Sequence, residues 1–193
     1  MISVVIATDD SECVLVPTLA ALVPGALAGI VREVIVADGG STDATAKVAD
    51  VAGCRFVAGA APIGERLKSA AALARAQWLM FLKPGVVLDA AWIDEATHFI
   101  QQADGADQAA VFRPAVTSRR RRSALAEALA QLATALTIRT RPAPALLISK
   151  RRYHELGGHS SDGADPGADL LQRLGRRQIV MLRCGAKMVE ARA

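Results

Sequence analysis

Short apolar runs alternate with longer segments of helical periodicity through the first half of the chain. The runs that predict strands span residues 2–7, 31–37, 54–57 and 78–82. Each is apolar almost throughout, which is typical of strands buried on both faces of a parallel sheet. Helices are predicted between them, over residues 13–22, 43–52 and 65–76, with Pro24-Gly25 ending the first of them and Gly53 the second. This alternation predicts an α/β protein with a mostly parallel sheet, Rossmann-like and flanked by helices.

The pattern continues beyond residue 82 and then changes character. Strands are predicted at residues 109–113, 145–149 and 178–182, and helices at 89–102, 150–156 and 168–174, whereas the short apolar segment at residues 86–88 is left without an assignment. Residues 160–167 are predicted to form a mobile loop. Four consecutive arginines, Arg119 to Arg122, precede a helix predicted at residues 123–138. Its leucines recur at steps of four, three and four, which places them on one apolar stripe.

One strand ends in a sharp turn that could hold a ligand. Its apolar run ends at Asp38, Gly39 and Gly40 let the backbone turn, and residues 41–43 can cap the following helix. In open α/β sheets, ligands bind at the carboxyl ends of the strands, where helix N-termini offer N–H groups. Asp38 is therefore either a ligand-binding carboxylate or a group that only satisfies the turn, and both readings stay open.

Composition bounds the class of protein. The chain has 193 residues, of which 52% are hydrophobic, enough for the core of one domain. No apolar run reaches the roughly 18 residues of a membrane-spanning helix, and no secretion signal precedes the first strand. The three cysteines are odd in number and widely spaced, so we expect reduced, mostly buried thiols in a cytoplasmic protein.

Charge divides the chain into two unequal parts. Residues 1–112 carry a net charge of −6, whereas residues 113–193 carry +10. The basic part suggests a partner that bears phosphate, such as a nucleotide, an anionic membrane or nucleic acid. Nucleic acid is the weakest of these, because Tyr153 is the only aromatic residue after residue 112 and no stacking platform accompanies the charge.

Taken together, the order of motifs resembles the family-2 glycosyltransferases, which have the GT-A fold. The matching motifs are a Ser-Val-Val-Ile first strand, an Asp-Gly-Gly-Ser-Thr-Asp turn, a Gly-x-x-x-x-x-Ala helix beginning at Gly64, a Trp-Leu-x-Phe-Leu strand and an Arg-Arg segment that leads to Gly157-Gly158. The resemblance covers most of residues 2–182. It implies a single domain, with residues 1–112 as the nucleotide-binding half and residues 113–193 as a basic, acceptor-side half.

The resemblance also implies a function and a set of binding residues. An enzyme of this family transfers a sugar from a nucleotide-sugar donor to an acceptor. Carried over to this chain, the nucleotide-binding positions are Thr8, Asp9, Asp10, Asp38, Gly39, Gly40, Arg66 and Lys68. A carboxylate at the end of a strand can accept hydrogen bonds from a pyrimidine N3–H and from ribose hydroxyls.

Two chemical positions depart from the family pattern. The acidic metal-binding motif should follow the fourth strand, but Lys83-Pro84-Gly85 stands there, and Mg²⁺ or Mn²⁺ needs oxygen ligands that this sequence lacks. No metal site is therefore predicted, and Lys83 is either a fixed cation for the leaving diphosphate or a solvated turn residue. The expected catalytic base falls in a gap flanked by Asp165 and Asp169, which are the candidates for that role.

These observations lead to two main hypotheses about function. One is a nucleotide-sugar-dependent glycosyltransferase that works without a metal, and the other is a degenerate, non-catalytic nucleotide-binding or scaffold protein of the same fold. The arginine run and its amphipathic helix either lie on an anionic membrane, which would suit a lipid-linked rather than a free saccharide acceptor, or form an ordinary helix that faces the core, with the arginines in a solvated turn. The expected location is the cytoplasm, in the first case at the inner face of the membrane. His159 is a candidate for the acceptor side, whereas His98 is predicted to lie on a helix, either at its surface or in its packing.

Overall fold

The computed structural model describes residues 1–102, 107–114, 143–161 and 166–190. Three predicted features lie wholly or partly outside these ranges: the arginine run at Arg119 to Arg122, the helix at residues 123–138, and residues 162–165 of the predicted loop, which include Asp165.

Eight strands in the described part of the chain form one sheet. They are β1 (Ile2–Thr8), β2 (Val31–Asp38), β3 (Arg55–Ala58), β4 (Trp78–Leu82), β5 (Val86–Leu88), β6 (Ala109–Pro114), β7 (Ala145–Ser149) and β8 (Ile179–Met188). Their order across the sheet is β3-β2-β1-β4-β7-β6-β8-β5. Pairing is parallel from β3 to β4 and again between β6 and β8, whereas β7 runs antiparallel to both its neighbours and β5 runs antiparallel to β8. The prediction of a mostly parallel α/β sheet is confirmed.

Helices cover both faces of this sheet. They are α1 (Glu12–Leu27), α2 (Thr45–Val51), α3 (Ile63–Leu73), α4 (Trp92–Gln102), α5 (Lys150–Glu155) and α6 (Pro166–Leu174), and a 3₁₀ turn (Arg176–Gln178) precedes β8. Successive strand residues point to opposite faces, so Val4 packs into one core with α1 and α4, whereas Val5 packs into a second core with α3 and α6. Within the described ranges, no helix is both long enough and apolar enough to cross a bilayer.

The order of the parallel strands creates a crevice. From β1 the chain moves outward to β2 and β3 and then returns to place β4 on the other side of β1. Connections therefore leave the carboxyl ends of β1 and β4 in opposite directions, and the gap between them is the place where open α/β sheets bind ligands.

Helix α1 is longer than predicted. Pro24 and Gly25 do not end it, because the helix continues to Leu27. A Cβ atom on Gly25 would lie 2.4 Å from the ring of Trp92, whose indole N–H donates to the carbonyl of Ala21 at 3.3 Å. Gly25 therefore allows α1 to pack closely against the buried Trp92, and the prediction that it is a helix stop is wrong.

Strand β8 also extends beyond the prediction, from residue 182 to Met188. Its first part pairs with β6 and its last part with β5. Cys184 and Ala186 are buried there and alternate with exposed Arg183 and Lys187. This period of two was a readable strand signal, but the polar residues and Gly185 hid it from a search for continuous apolar runs.

The cysteines differ from one another in exposure. All three are free thiols, as expected, but Cys13 is exposed and Cys54 is half-buried, so the prediction of mostly buried thiols holds only for Cys184. Burial raises the pKa of Cys54 to about 11, and burial together with the nearby carboxylates of Asp89 and Glu95 raises the pKa of Cys184 to about 12.

We expect one thiol to react quickly with a disulfide reagent at neutral pH. Cys13 is exposed to the reagent, whereas Cys54 is half-buried, Cys184 is buried, and the raised pKa of both keeps their thiols protonated. The folded protein should release one equivalent of chromophore in the fast phase, and the protein in guanidinium chloride should release three. The variant Cys13→Ser should lose the fast phase, and a fast phase that persists in it would contradict this assignment.

Candidate functional site

A cavity of about 590 Å³ occupies the gap between the carboxyl ends of β1 and β4. We call it the crevice cavity. Thr8 and Asp9 line it from the end of β1, and Lys83 and Pro84 line it from the end of β4. Its other walls come from α3, from residues 143–144 and from His159, and its apolar lining includes Leu67, Phe81, Leu146 and Leu171. Two of the predicted regions, the loop after β1 and the Lys-Pro-Gly turn, therefore meet in one place.

The charged groups that line the crevice cavity are few and mostly cationic. Asp9 is the one carboxylate among its described lining residues, whereas Arg66 and Lys83 are both cations. Lys83 is exposed at the end of β4, where its backbone N–H donates to the carbonyl of Pro144 at 3.3 Å. A cavity with an apolar lining and an excess of positive charge suits an anionic ligand that has a flat, less polar part.

Asp38 is not among the residues that line this cavity. Its side chain is buried, and each of its two carboxylate oxygens accepts two hydrogen bonds. One oxygen accepts from the hydroxyls of Thr8 (2.7 Å) and Ser41 (2.5 Å), and the other from the backbone N–H groups of Gly40 (2.9 Å) and Ser41 (2.7 Å). Burial alone would raise the pKa of Asp38, but these hydrogen bonds outweigh it and lower the pKa. The geometry matches the reading in which Asp38 satisfies the turn.

Asp10 ties the same turn to the loop after β1. Its carboxylate accepts from the backbone N–H of Thr42 at 2.7 Å, and its own N–H donates to the Ser41 hydroxyl at 2.9 Å. Asp10 adopts a φ of 41°, a left-handed conformation that these bonds help to hold. Ser41 and Thr42 were expected to cap α2, but their side chains bind Asp38 and Asp10 instead. The N-cap residue of α2 is Ala44, which has no side-chain cap bond, and Asp43 just before it accepts from the backbone N–H of Thr45 at 2.9 Å.

Arg66 is fixed by backbone carbonyls at the edge of the crevice cavity. One terminal nitrogen donates to the carbonyls of Thr8 (2.9 Å) and Ala37 (2.8 Å), and Nε donates to that of Ala61 (3.1 Å). A Cβ atom on Gly39 would lie 3.0 Å from this guanidinium, so Gly39 leaves room for Arg66 to cross the ends of β1 and β2. Gly40 has a φ of 101°, which the turn requires of glycine.

A second cavity, of about 640 Å³, lies beside the first. We call it the side cavity. It is lined by Glu65, Lys68 and Ser69 of α3, by residues 157–161 and by Asp169 and Arg173 of α6. Lys68 therefore lines the side cavity and is not among the residues of the crevice cavity.

Asp169 forms an ion pair inside α6. Its carboxylate accepts from Arg173 at 2.6 and 3.1 Å, and Arg173 also donates to the carbonyls of Leu156 and Gly158. Arg173 thus joins α6 to the turn after α5, and Asp169 helps to hold Arg173 in place.

His159 lines both cavities, although only 4% of its surface is exposed. Its ring packs edge-on against Phe81 with 4.6 Å between ring centres, and its Nδ1 is 2.9 Å from the hydroxyl of Tyr153. That hydroxyl also accepts from the backbone N–H of His159 at 3.2 Å. Burial raises the pKa of Tyr153 to about 12, so the phenol keeps its proton and can donate it to Nδ1.

The loop that carries His159 is in close contact with α3. A Cβ atom on Gly64 would lie 1.9 Å from the carbonyl oxygen of Ser160. Gly158 has a φ of 75°, and a Cβ atom there would lie 3.1 Å from the hydroxyl of Tyr153. Both glycines belong to motifs that carry the family resemblance. The sequence has no pattern, however, that predicts the contact of Gly64 with the loop at His159 or the hydrogen bond from Tyr153 to His159.

The described residues do not fit a bound metal ion. No three His, Cys, Asp or Glu side chains in these ranges are grouped so that they could hold one. Mg²⁺ and Mn²⁺ prefer several oxygen ligands, and Asp9 supplies the single carboxylate among the described residues that line the crevice cavity.

Comparisons with known proteins give matches at the level of structure. No protein-family model matches the sequence, and no curated protein does. A structure of glucosyl-3-phosphoglycerate synthase from Mycobacterium tuberculosis with phosphoglyceric acid matches with a TM-score of 0.70 and 21% identity, over 100% of this chain and 73% of that chain. S. aureus TarS 1-349 matches with a TM-score of 0.73 and 15% identity, over 97% of this chain and 60% of that chain.

Other structures of the same two proteins contain ligands. One of the synthase holds Mn²⁺, uridine diphosphate and glucosyl-3-phosphoglycerate, and one of TarS holds UDP-GlcNAc. At these identities the likeness establishes the fold. The chain has the GT-A fold of nucleotide-sugar glycosyltransferases, as the resemblance implied.

Proposed function

We propose that this protein is a nucleotide-sugar-dependent glycosyltransferase whose donor site is the crevice cavity. The observation that carries the proposal is the position of that cavity, between the carboxyl ends of β1 and β4, with Asp9, Arg66 and Lys83 in its lining. The solved structures of similar fold that contain uridine nucleotides support it.

The residues divide between the two ends of such a donor. Asp9 accepts hydrogen bonds from the base or the ribose, because its carboxylate lines the cavity at the end of β1. Thr8, Asp10, Asp38, Gly39 and Gly40 build the turn beneath the nucleoside. Arg66 and Lys83 face the diphosphate, and Lys68 lies farther out, toward the side cavity.

We propose that Lys83 takes the role that a divalent metal plays in metal-dependent relatives. Negative charge gathers on the diphosphate as the bond to the sugar breaks, and a cation held nearby stabilises it. An acceptor oxygen bonds to the anomeric carbon, the nucleoside diphosphate leaves with the electron pair of the broken bond, and Asp165 or Asp169 takes the acceptor proton. Residues 1–112 then form the nucleotide half, and residues 113–193 the acceptor-side half.

A second candidate is a non-catalytic nucleotide-binding protein or scaffold. The ion pair between Asp169 and Arg173 favours it, because a carboxylate held by a guanidinium is a weak base. In either case the basic run from Arg119 to Arg122 is a proposed contact with an anionic membrane. A lipid-linked acceptor would suit such a contact, and a free saccharide would not require it.

The test is nucleotide binding followed by turnover, both in a chelator. Calorimetry should show that uridine or guanosine diphosphate binds without metal, and a ligand present at 100 times its Kd should add about 2.7 kcal/mol of stability. We expect Asp9→Asn to weaken binding about tenfold and Lys83→Ala to weaken diphosphate binding but not nucleoside binding. Lys47→Ala, an exposed lysine on α2, is the matched control.

The outcomes separate the candidates. Release of nucleoside diphosphate from a nucleotide-sugar in chelator, lost in Lys83→Ala, supports the metal-independent transferase. Binding without release supports the non-catalytic candidate. If no nucleoside diphosphate binds to the folded protein, both candidates fail, and if Lys83→Ala keeps full turnover, the role of Lys83 fails.

A further inference from the structure

Helix α1 is apolar on the side that faces solvent as well as on the side that faces the core. Its core side buries Leu15, Leu19 and Leu22. Its solvent side carries an exposed stripe at steps of four, three and four residues, made of Val16, Ala20, Val23 and Leu27. Glu12, at its first position, is the one charged residue of the helix. A helix that is apolar all round is normally buried all round, so the stripe indicates a second contact.

The large apolar side chains that are exposed collect in two places. The described part of the chain has seven of them, of which Met1 is the first residue and Ile63 and Met188 line the crevice cavity. The other four belong to the solvent sides of α1 and α2, namely Val16 and Val23 at 52% exposure, Leu27 at 86% and Val51 at 81%. An apolar patch of this kind marks a surface that another molecule covers.

Three of these four side chains, Val16, Val23 and Val51, line a groove of about 500 Å³ between α1 and α2. We call it the helix groove. Leu19, Leu22 and Val31 are the buried part of its lining, and alanines at positions 20, 26, 44 and 52 leave it open. None of its described lining residues also lines the crevice cavity or the side cavity, so the helix groove is a separate surface.

The face around the helix groove is complementary to itself. Protruding side chains and groove lie side by side, so a two-fold axis can place the protrusions of each copy in the groove of the other. The charges on α2 match under the same operation. Lys47 and Asp50 are both exposed and three residues apart, so two antiparallel α2 helices can set Lys47 of each copy opposite Asp50 of the other.

We infer that this protein forms a two-fold homodimer through α1 and α2, with the helix groove as its interface. An anionic membrane is a poorer occupant, because a helix that lies on such a membrane carries lysine or arginine beside its apolar stripe, and α1 has neither. The inference is independent of the proposed function, since it requires no nucleotide in the crevice cavity.

Sedimentation equilibrium of the full chain tests the inference. We expect wild type to have twice the monomer mass at about 50 μM. Val51→Glu places a charge in the apolar interface and should raise the dissociation constant of the dimer about 100-fold. The matched control is Ala72→Glu, on an exposed position of α3 outside the lining of the helix groove, and it should remain a dimer. Circular dichroism shows whether each variant is folded.

Two charge variants test the two-fold pairing. Lys47→Asp and Asp50→Lys should each weaken self-association about tenfold, because each variant sets like charges opposite one another. An equimolar mixture of the two variants should associate as wild type does, because each then supplies the charge that the other lacks. Only an interface in which the same face meets itself predicts this recovery.

The outcomes are decisive in both directions. Recovery of the dimer in the mixture, together with its loss in Val51→Glu, supports the inference. A wild type that is monomeric at about 50 μM overturns it, whether lipid, another protein or another part of the same chain then covers the helix groove. A dimer that Val51→Glu leaves intact, or a mixture of the charge variants that stays monomeric, also overturns it.

Discussion

Replacing Asp38 with alanine should destabilise the protein by about 3 kcal/mol, although the side chain makes no contact with the crevice cavity. The change removes a buried carboxylate that accepts four hydrogen bonds, and it leaves the donors on Thr8, Gly40 and Ser41 without their acceptor. Asp38→Asn should be only a partial rescue, because its amide would bring N–H groups toward backbone N–H donors. Urea denaturation at neutral pH measures both effects.

The matched control is Asp9→Asn. Because Asp9 is exposed, the stability of the Asp9→Asn protein should differ from that of wild type by no more than about 0.5 kcal/mol, while its nucleotide affinity falls. The pair of variants separates the two roles: Asp38 should act on folding, and Asp9 on binding. If Asp38→Ala keeps wild-type stability but loses nucleotide binding, this assignment is contradicted, and Asp38 is a nucleotide-binding residue.

The pH dependence of Asp38 has a definite sign. Because its pKa in the folded protein is lowered from the ordinary value of 3.8, the folded state binds this proton less readily than the unfolded state does. The stability that Asp38 contributes is therefore fully present above its ordinary pKa and is lost as pH falls through the lower, folded value. The pKa values of Glu33 and Asp43 are lowered as well, so the wild-type profile alone is a composite. The contribution of Asp38 is therefore measured as the difference in unfolding free energy between wild type and Asp38→Asn. This difference should become smaller as pH falls from about 5 to about 2.

Replacing Gly64 with alanine should be the most damaging single-methyl change in the site. Alanine in a helix is normally better than glycine by about 1 kcal/mol. Here the added Cβ would lie 1.9 Å from the carbonyl oxygen of Ser160, a backbone atom that cannot rotate away. Overpacking of this kind costs about 1–3 kcal/mol or more, so the clash outweighs the gain in helix propensity. We expect a net loss of about 2 kcal/mol, measured by urea denaturation.

Gly64→Ala should also affect function, because the added methyl group displaces the loop that carries Ser160 and His159. Ser160 neighbours His159, the side chain that both cavities share, so turnover should fall more than stability predicts. Gly59→Ala is the matched control, since a Cβ atom there meets nothing within 4 Å, and it should stay within about 0.5 kcal/mol of wild type. A Gly64→Ala protein as stable and as active as this control would show that the loop does not rest on α3 in solution.

Sequence predicted the parallel part of the fold well because buried parallel strands are continuous apolar runs. The predicted strand at residues 78–82 coincides with β4, and β2 differs from its prediction by one residue. Sequence did less well where packing decides the outcome. Whether Pro24-Gly25 ends α1 depends on Trp92, about 70 positions away, and a local pattern carries no information about that contact.

The candidate site could be predicted by region but not by role. The turn at Asp38 and the loop at Asp9 were both recognisable as ligand-facing ends of strands. The sequence did not predict which of the two carboxylates faces the cavity, because this depends on four hydrogen bonds that form around Asp38 only in the folded turn. His159 was found only as a residue after two glycines, since the Tyr153 hydroxyl that holds its ring has no sequence signature.

The pairing of β5 has a consequence for the order of folding during synthesis. Among the described strands β5 pairs with β8 alone, and its partners Ala186 to Met188 are made roughly 100 residues later. At a translation rate of about 5–20 residues per second, the nascent chain carries this apolar segment unpaired for about 5–20 seconds. A ribosome-bound chain that lacks residues 183–190 should therefore expose β5 to chaperones, and β5 should find its partner strand only after Ala186 to Met188 have emerged.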